Sequence, residues 1–124
     1  MQRIFPNGTQ PIGPYSPAVR AGDWLFISGQ IALRPDGSVE KSSLQAEVEL
    51  ILSHLRSILH AANAHPDQIV KATIYLTDMA FFPEVNALYE RFFPQGSYPA
   101  RETVAVAALP RGARVEISAI AYLG

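Results

Sequence analysis

Apolar and polar residues follow two different periods along this chain, and each change of period marks an element. Leu44, Val48, Ile51, Leu52, Leu55, Leu59 and Ala62 recur mostly at spacings of three and four, which places them on one face of a helix. Ser42, with Gln45 three residues on, suits a capping box at its start. A second helix is predicted to open near Pro83, to carry Val85, Leu88, Tyr89 and Phe92 on one face, and to stop at Pro94-Gln95-Gly96. Between the helices, "IVKATIYLTD" is rich in β-branched and aromatic residues and reads as a strand. The run from Trp24 to Leu33 reads the same way, joined to a preceding strand by a tight turn at Gly22-Asp23. Two final strands, roughly 99 to 109 and 113 to 122, are predicted to form a hairpin around "PRG".

The predicted order is therefore β-β-α-β-α-β-β, an α/β fold of the α+β kind with two helices packed on one face of one sheet. Helices with a single apolar face cover only one side of a sheet, so the other side meets water or another subunit. Composition favours a subunit: 48% of the residues are hydrophobic and only 17% charged. The 124 residues fit a single domain, 1–124.

Charge and cysteine content narrow the chemistry. Ten Lys and Arg face eleven Asp and Glu, too even a balance to hold a phosphate backbone, so no nucleic-acid partner is expected. The absence of cysteine excludes disulfides, thiolate nucleophiles and Cys-ligated zinc. His54, His60 and His65 lack metal-ligand spacing and no G-x-G-x-x-G loop follows a strand, so neither a metal nor a cofactor is expected. The first residues, "MQRIFPNGTQPIGPYSP", lack the apolar stretch of a signal peptide, which leads to the expectation of a soluble cytoplasmic protein with no membrane partner.

One run raises a question: "SYPARETVAV" turns into a strand yet begins with an arginine. If the valine-bearing faces of the last two strands lie under the helices, alternation puts Arg101 and Glu116 together on the uncovered face. A hairpin pairing Glu116 with Ala105 or Ala107 would leave Arg101 about 13 to 20 Å from it, so one small ligand could touch both only between two subunits. A guanidinium matches a carboxylate with two parallel hydrogen bonds, and a glutamate in a partly dry pocket can transfer protons near neutrality. The plainer alternative is an intersubunit salt bridge.

"GPYSPAV" with "ISGQIAL", "VKATIYLTDM", "VNALYERFF", "YPAR" and "LPRGARVEISAIA" together resemble the RidA or YjgF-like reactive-intermediate deaminase family, nearly end to end and in order. The resemblance implies a chorismate-mutase-like fold assembled as a homotrimer with its sheets facing inward and its sites between subunits. It implies hydrolysis of 2-imino acids, of the 2-iminobutanoate and 2-iminopropanoate type, to 2-oxo acids and ammonia without metal or cofactor. Arg101 would bind the substrate carboxylate and Glu116 would position or activate water, while Tyr15, Ser28, Gly29 and Asn86 match other pocket positions. Thr103 stands where typical members carry cysteine, and Glu102 is unusual beside the arginine; both bear on the substrate branch. A non-catalytic carboxylate-binding or protein-interaction trimer and a ribonuclease or translation inhibitor are the alternatives, the latter disfavoured by the lack of a basic stripe.

Overall fold

The computed structural model describes residues 1–124. Six strands form one mixed sheet: β1 (Gln2–Ile4), β2 (Ala18–Ala21), β3 (Trp24–Gln30), β4 (Ile69–Leu76), β5 (Ala100–Ala105) and β6 (Val115–Tyr122), in the spatial order β1-β2-β3-β6-β4-β5. Two helices, α1 (Leu44–Ala61) and α2 (Phe82–Glu90), complete an α+β fold. No helix is long and apolar enough to cross a membrane.

The chain order is thus β-β-β-α-β-α-β-β, one strand more than the periodicity predicts. Three residues, Gln2 to Ile4, are too few to show an alternation, and pairing with β2 is what makes them a strand. The β2–β3 hairpin at Gly22-Asp23 forms as expected, with Ala21 opposite Trp24. The final hairpin does not. β5 runs parallel to β4, Leu76 opposite Ala105, while β6 lies on the other side of β4 and pairs Glu116 with Tyr75. The "PRG" segment is a short 3-10 turn in the crossing from the sheet's edge to its centre, rather than a hairpin tip.

Both helices bury one face. On α1 the buried apolar residues are Val48, Ile51, Leu52, Leu55, Ile58 and Leu59, which meet Leu25, Ile74, Ile117 and Val115 of the sheet in one core. Each such side chain stabilises the fold by about 1.5 to 3 kcal/mol relative to exposure. Ser43, one residue after the expected cap, closes the helix start by accepting the Ala46 N–H at 3.0 Å, and Gln45 bonds Glu49 instead of reaching back. Pro83 stands in the first turn of α2, as predicted.

One residue breaks the apolar stripe of α1. Glu47 is fully buried, and its carboxylate accepts the Arg114 N–H at 2.8 Å and the Arg114 Nε at 2.7 Å. The Arg114 carbonyl in turn accepts from Thr77 N–H. The residue before β6 is thereby tied to both α1 and the end of β4, although Arg114 Nη2 is buried without a hydrogen-bond partner; removing the guanidinium would leave the Glu47 carboxylate buried without a countercharge, at a cost of about 3 to 5 kcal/mol.

The opposite side of the sheet carries no helix. There Trp24 stacks at a tilt on Tyr122 with centroids 4.9 Å apart, Phe26 lies beside Ile120, and Tyr75 lies beside Glu116 and Val104. Trp24 is 44% exposed and Phe26 47%, far more open than large aromatics usually are.

Candidate active site

Arg101 and Glu116 lie on opposite faces of the sheet, contrary to the reading from alternation. Arg101 is opposite Ala72, a core residue of β4, so its side chain projects toward the helices; Glu116 is opposite Tyr75 and projects to the open side. The valine-bearing face of β5, with Val104 41% exposed, is the open one. The expectation fails because β5 is an edge strand. Its outer neighbours are the aromatic residues of α2, which receive a guanidinium better than they would a valine. Two strand spacings across and three residues along separate the two positions, about 14 Å between backbones.

The Arg101 half is built by α2. Asn86 Oδ1 accepts from Arg101 Nη1 at 2.6 Å, and the guanidinium carbon stands 5.0 Å from the Tyr89 ring centre and 5.4 Å from that of Phe82. One hydrogen bond and two aromatic faces fix the plane of the fork, leaving its other donors without a partner in the chain. They line a cleft of about 350 Å³ shared with Asn86, Tyr89, Glu90, Tyr98 and Pro99. Burial pushes the Tyr89 phenol up to about 12, against a lowering pull from Arg101, so it is protonated at neutral pH.

Thr103 projects to the same side as Arg101, two residues along, and its hydroxyl is buried with no hydrogen-bond partner in the chain. Its backbone is the more available group. Val106 N–H donates to the Leu76 carbonyl at 2.8 Å, so the alternation of a parallel ladder turns the amides of Arg101, Thr103 and Ala105 off the free edge of β5.

The Glu116 half is built at a bulge in β3. Register slips between Ile27 and Gln30, and the extra residue places Gly29 against Glu116. A Cβ at Gly29 would stand 2.7 Å from the Glu116 carboxyl carbon, so only glycine leaves that carboxylate its place. Burial raises the Glu116 pKa above the usual 4.5. Ser28 donates its hydroxyl to the Ser16 carbonyl at 2.6 Å, and its N–H donates to Pro17 at 2.9 Å, which stitches the segment carrying Tyr15 to β3. Tyr15 itself is half exposed, at the rim of a second cleft of about 400 Å³ that also takes in Gln30 and His54. His54 meets the Leu33 carbonyl at 2.8 Å through Nε2, a contact that ties α1 to the chain after β3.

Seven predicted residues thus fall into two groups: Arg101, Asn86 and Thr103 at the edge beside α2, and Glu116, Gly29, Ser28 and Tyr15 around the bulge. Tyr89, Glu90 and Tyr98 complete the first cleft although sequence reasoning did not place them there. For Glu90 a signal existed, since it follows Asn86 by four residues and so shares its helix face.

Comparison with known proteins agrees with this architecture. The family described as Endoribonuclease L-PSP matches residues 6–123. A RutC family protein of Pyrococcus horikoshii is 41% identical over 117 residues, covering 94% of this chain and 92% of that one. The 2-iminobutanoate/2-iminopropanoate deaminase of Mus musculus is 46% identical over 114 residues, 91% of this chain and 84% of its own. Among solved structures, E. coli TdcF with bound serine superposes with a TM-score of 0.92 at 34% identity, covering all of both chains (100% each). The strands, helices and end-to-end identity agree, and the chain belongs to the RidA/YjgF family.

Proposed function

We propose that this protein hydrolyses 2-imino acids to 2-oxo acids and ammonia, at sites shared between the subunits of a homotrimer. The observation that carries the reading is Arg101: a guanidinium fixed in plane by Asn86, Phe82 and Tyr89, with its free donors opening into a cleft. A planar fork held this way matches the carboxylate of a small acid. The deaminase activity for which the mouse relative is named and the serine bound to the E. coli relative point to the same ligand class.

In the proposed reaction the substrate carboxylate sits on Arg101. Water attacks the imine carbon, forming a C–O bond while the C=N π pair moves to nitrogen and takes a proton. The added oxygen gives up its extra proton to leave a carbinolamine; a proton then moves onto the amine nitrogen, the hydroxyl loses its proton as its electron pair closes the C=O bond, the C–N bond breaks and ammonia leaves, giving the 2-oxo acid. Glu116, partly desolvated and free to take and return a proton, is the group proposed to relay it. Orientation and one relay suffice for so electrophilic a carbon.

Opposite faces and about 14 Å of sheet keep Arg101 and Glu116 of one chain from a single imino acid. The proposed trimer resolves this by laying the edge of one subunit against the open face of the next, which would also cover Trp24, Phe26 and Tyr122. Ribonucleolysis, the activity named in the family's description, has less support: the residues around Arg101 are a carboxylate, a proline, an amide and two tyrosines, with no second cation in the cleft.

The test is ammonia release from imino acids generated in place, using Arg101→Ala and Glu116→Gln chains separately and after being unfolded and refolded together. Each alone should be inactive, and the mixture should regain part of the activity because some trimers hold one cleft with both residues intact. A mixture that stays inactive, with mixed trimers confirmed by mass, would overturn the shared site. No ammonia release by the unmodified protein would overturn the hydrolase.

A further inference from the structure

The cleft at Arg101 carries a second charge that the proposed hydrolysis does not use. Asn86 and Glu90 stand four residues apart on α2, so their Cβ atoms are about 5 to 6 Å apart on one helix face. Both line the cleft. Yet Arg101 and Glu90 are not paired. The ion pairs of the chain join Arg20 to Asp23, Arg34 to Glu40, Lys71 to Glu102 and Arg114 to Glu47, and the Glu90 side chain accepts no hydrogen bond. A ligand in the cleft therefore meets a fixed cation at one end and an unpaired carboxylate one helical turn further on. Glu90 also ends α2, where the last carbonyls add to the negative potential. The volume of about 350 Å³ exceeds what an imino acid of three or four carbons needs, being on the order of ten waters.

We infer that Glu90 selects the substrate's side chain, favouring 2-imino acids whose side chain ends in a cation or strong hydrogen-bond donor over apolar and acidic ones. The inference rests on the proposed anchoring of the substrate carboxylate by Arg101. With that carboxylate held, a chain of a few methylenes running along α2 brings a guanidinium or ammonium to the Glu90 carboxylate. An acidic side chain of the same length meets a like charge. No bond is made or broken at Glu90, so its effect falls on binding and on KM more than on kcat.

Titration calorimetry of the intact protein with arginine, norleucine and glutamate tests this, because the three share the carboxylate and amino group and differ in side-chain end. Arginine is expected to bind roughly fivefold more tightly than norleucine, with glutamate weakest, the size of an exposed ion pair. Glu90→Gln should bring arginine and norleucine together, and Glu90→Lys should invert the order in favour of glutamate. The same ranking should appear in KM for the corresponding imino acids. Equal affinities in the unmodified protein, or a preference that survives Glu90→Lys, would overturn the role of Glu90 while leaving the carboxylate anchor standing. If Arg101→Ala binds all three as the unmodified protein does, the anchor itself fails, and the selection built on it fails with it.

Discussion

Arg101 stands on the outermost strand of the sheet, exposed, and is held by side chains of the neighbouring helix; Glu116 stands on an inner strand, half-buried, with its carboxyl group in the space beside Gly29. The contrast separates two ways of preparing a charged group. A guanidinium keeps its charge anywhere, so it needs only orientation, and Asn86 with two aromatic rings supplies that without burial. A carboxylate becomes useful for proton transfer when its pKa is raised, and partial burial of Glu116 supplies that, while Gly29 leaves the room the carboxyl group occupies. One half depends on local packing and the other on the register of the sheet.

Removing the carboxylate should have the largest effect. Glu116→Gln keeps size and polarity but cannot accept a proton, so turnover is expected to fall by roughly 10² to 10⁴ while carboxylate binding persists. The pH profile sharpens this. Because burial raises the pKa, the carboxylate form is lost as pH falls through a value above 4.5, and the acid limb of activity should lie there and vanish in Glu116→Gln. The linkage runs the other way for stability: a raised folded-state pKa means the protonated form is favoured, so Glu116 costs stability as pH rises through it, and Glu116→Gln should remove that cost. An acid limb unchanged in the variant would assign it to another group.

Next comes the seat itself. Gly29→Ala puts a methyl where the Glu116 carboxyl group lies, 2.7 Å from its carbon, and the carboxylate must move. A displacement of this kind is expected to lower turnover on the order of 10²-fold with the fold intact by circular dichroism. Turnover near that of the unmodified protein would mean that the observed carboxylate position is not the working one.

How much of this was legible in sequence follows from the same contrast. The helices, β3, β4 and the alternation of β6 could be read because each buries one whole face, and the pattern of Val115, Ile117, Ala119 and Ala121 correctly put Glu116 on the open side. β5 could not be read that way. An edge strand with no core face of its own gives alternation nothing to mark, so its parity and its partner were both misjudged, and parallel pairing with β4 leaves no turn signal between them. Glu47 was legible in principle, as the one acid inside an apolar stripe, but nothing in its spacing names Arg114 as the partner 67 residues away. The family motifs pointed to the site residues without showing that Arg101 and Glu116 stand on opposite faces of the sheet.

The arginine half should respond more mildly. Arg101→Lys keeps the charge but loses the fork, and an ammonium cannot span Asn86 and a carboxylate at once. A loss of roughly 10- to 100-fold in kcat/KM is expected, the worth of one charge-assisted hydrogen bond. Near-normal kcat/KM in a folded Arg101→Lys protein would reduce Arg101 to a point charge.

The smallest effect tests whether Arg101 is held by its hydrogen bond or by its aromatic neighbours. Asn86→Ala deletes the acceptor at 2.6 Å while Phe82 and Tyr89 still flank the guanidinium. A net hydrogen bond contributes about 0.5 to 1.5 kcal/mol, so KM should rise roughly twofold to tenfold, and kcat should change little because the proton relay lies elsewhere. Asn86→Asp makes the opposite change, strengthening the bond by adding charge. The added carboxylate also draws one guanidinium edge away from the substrate and partly neutralises it. KM should then rise as well, and more so at low ionic strength, where the competition is least screened. If Asn86→Ala lowers kcat by more than tenfold with KM unchanged, Asn86 acts on the reacting atoms directly. The two halves would then not divide into orientation on one side and proton transfer on the other.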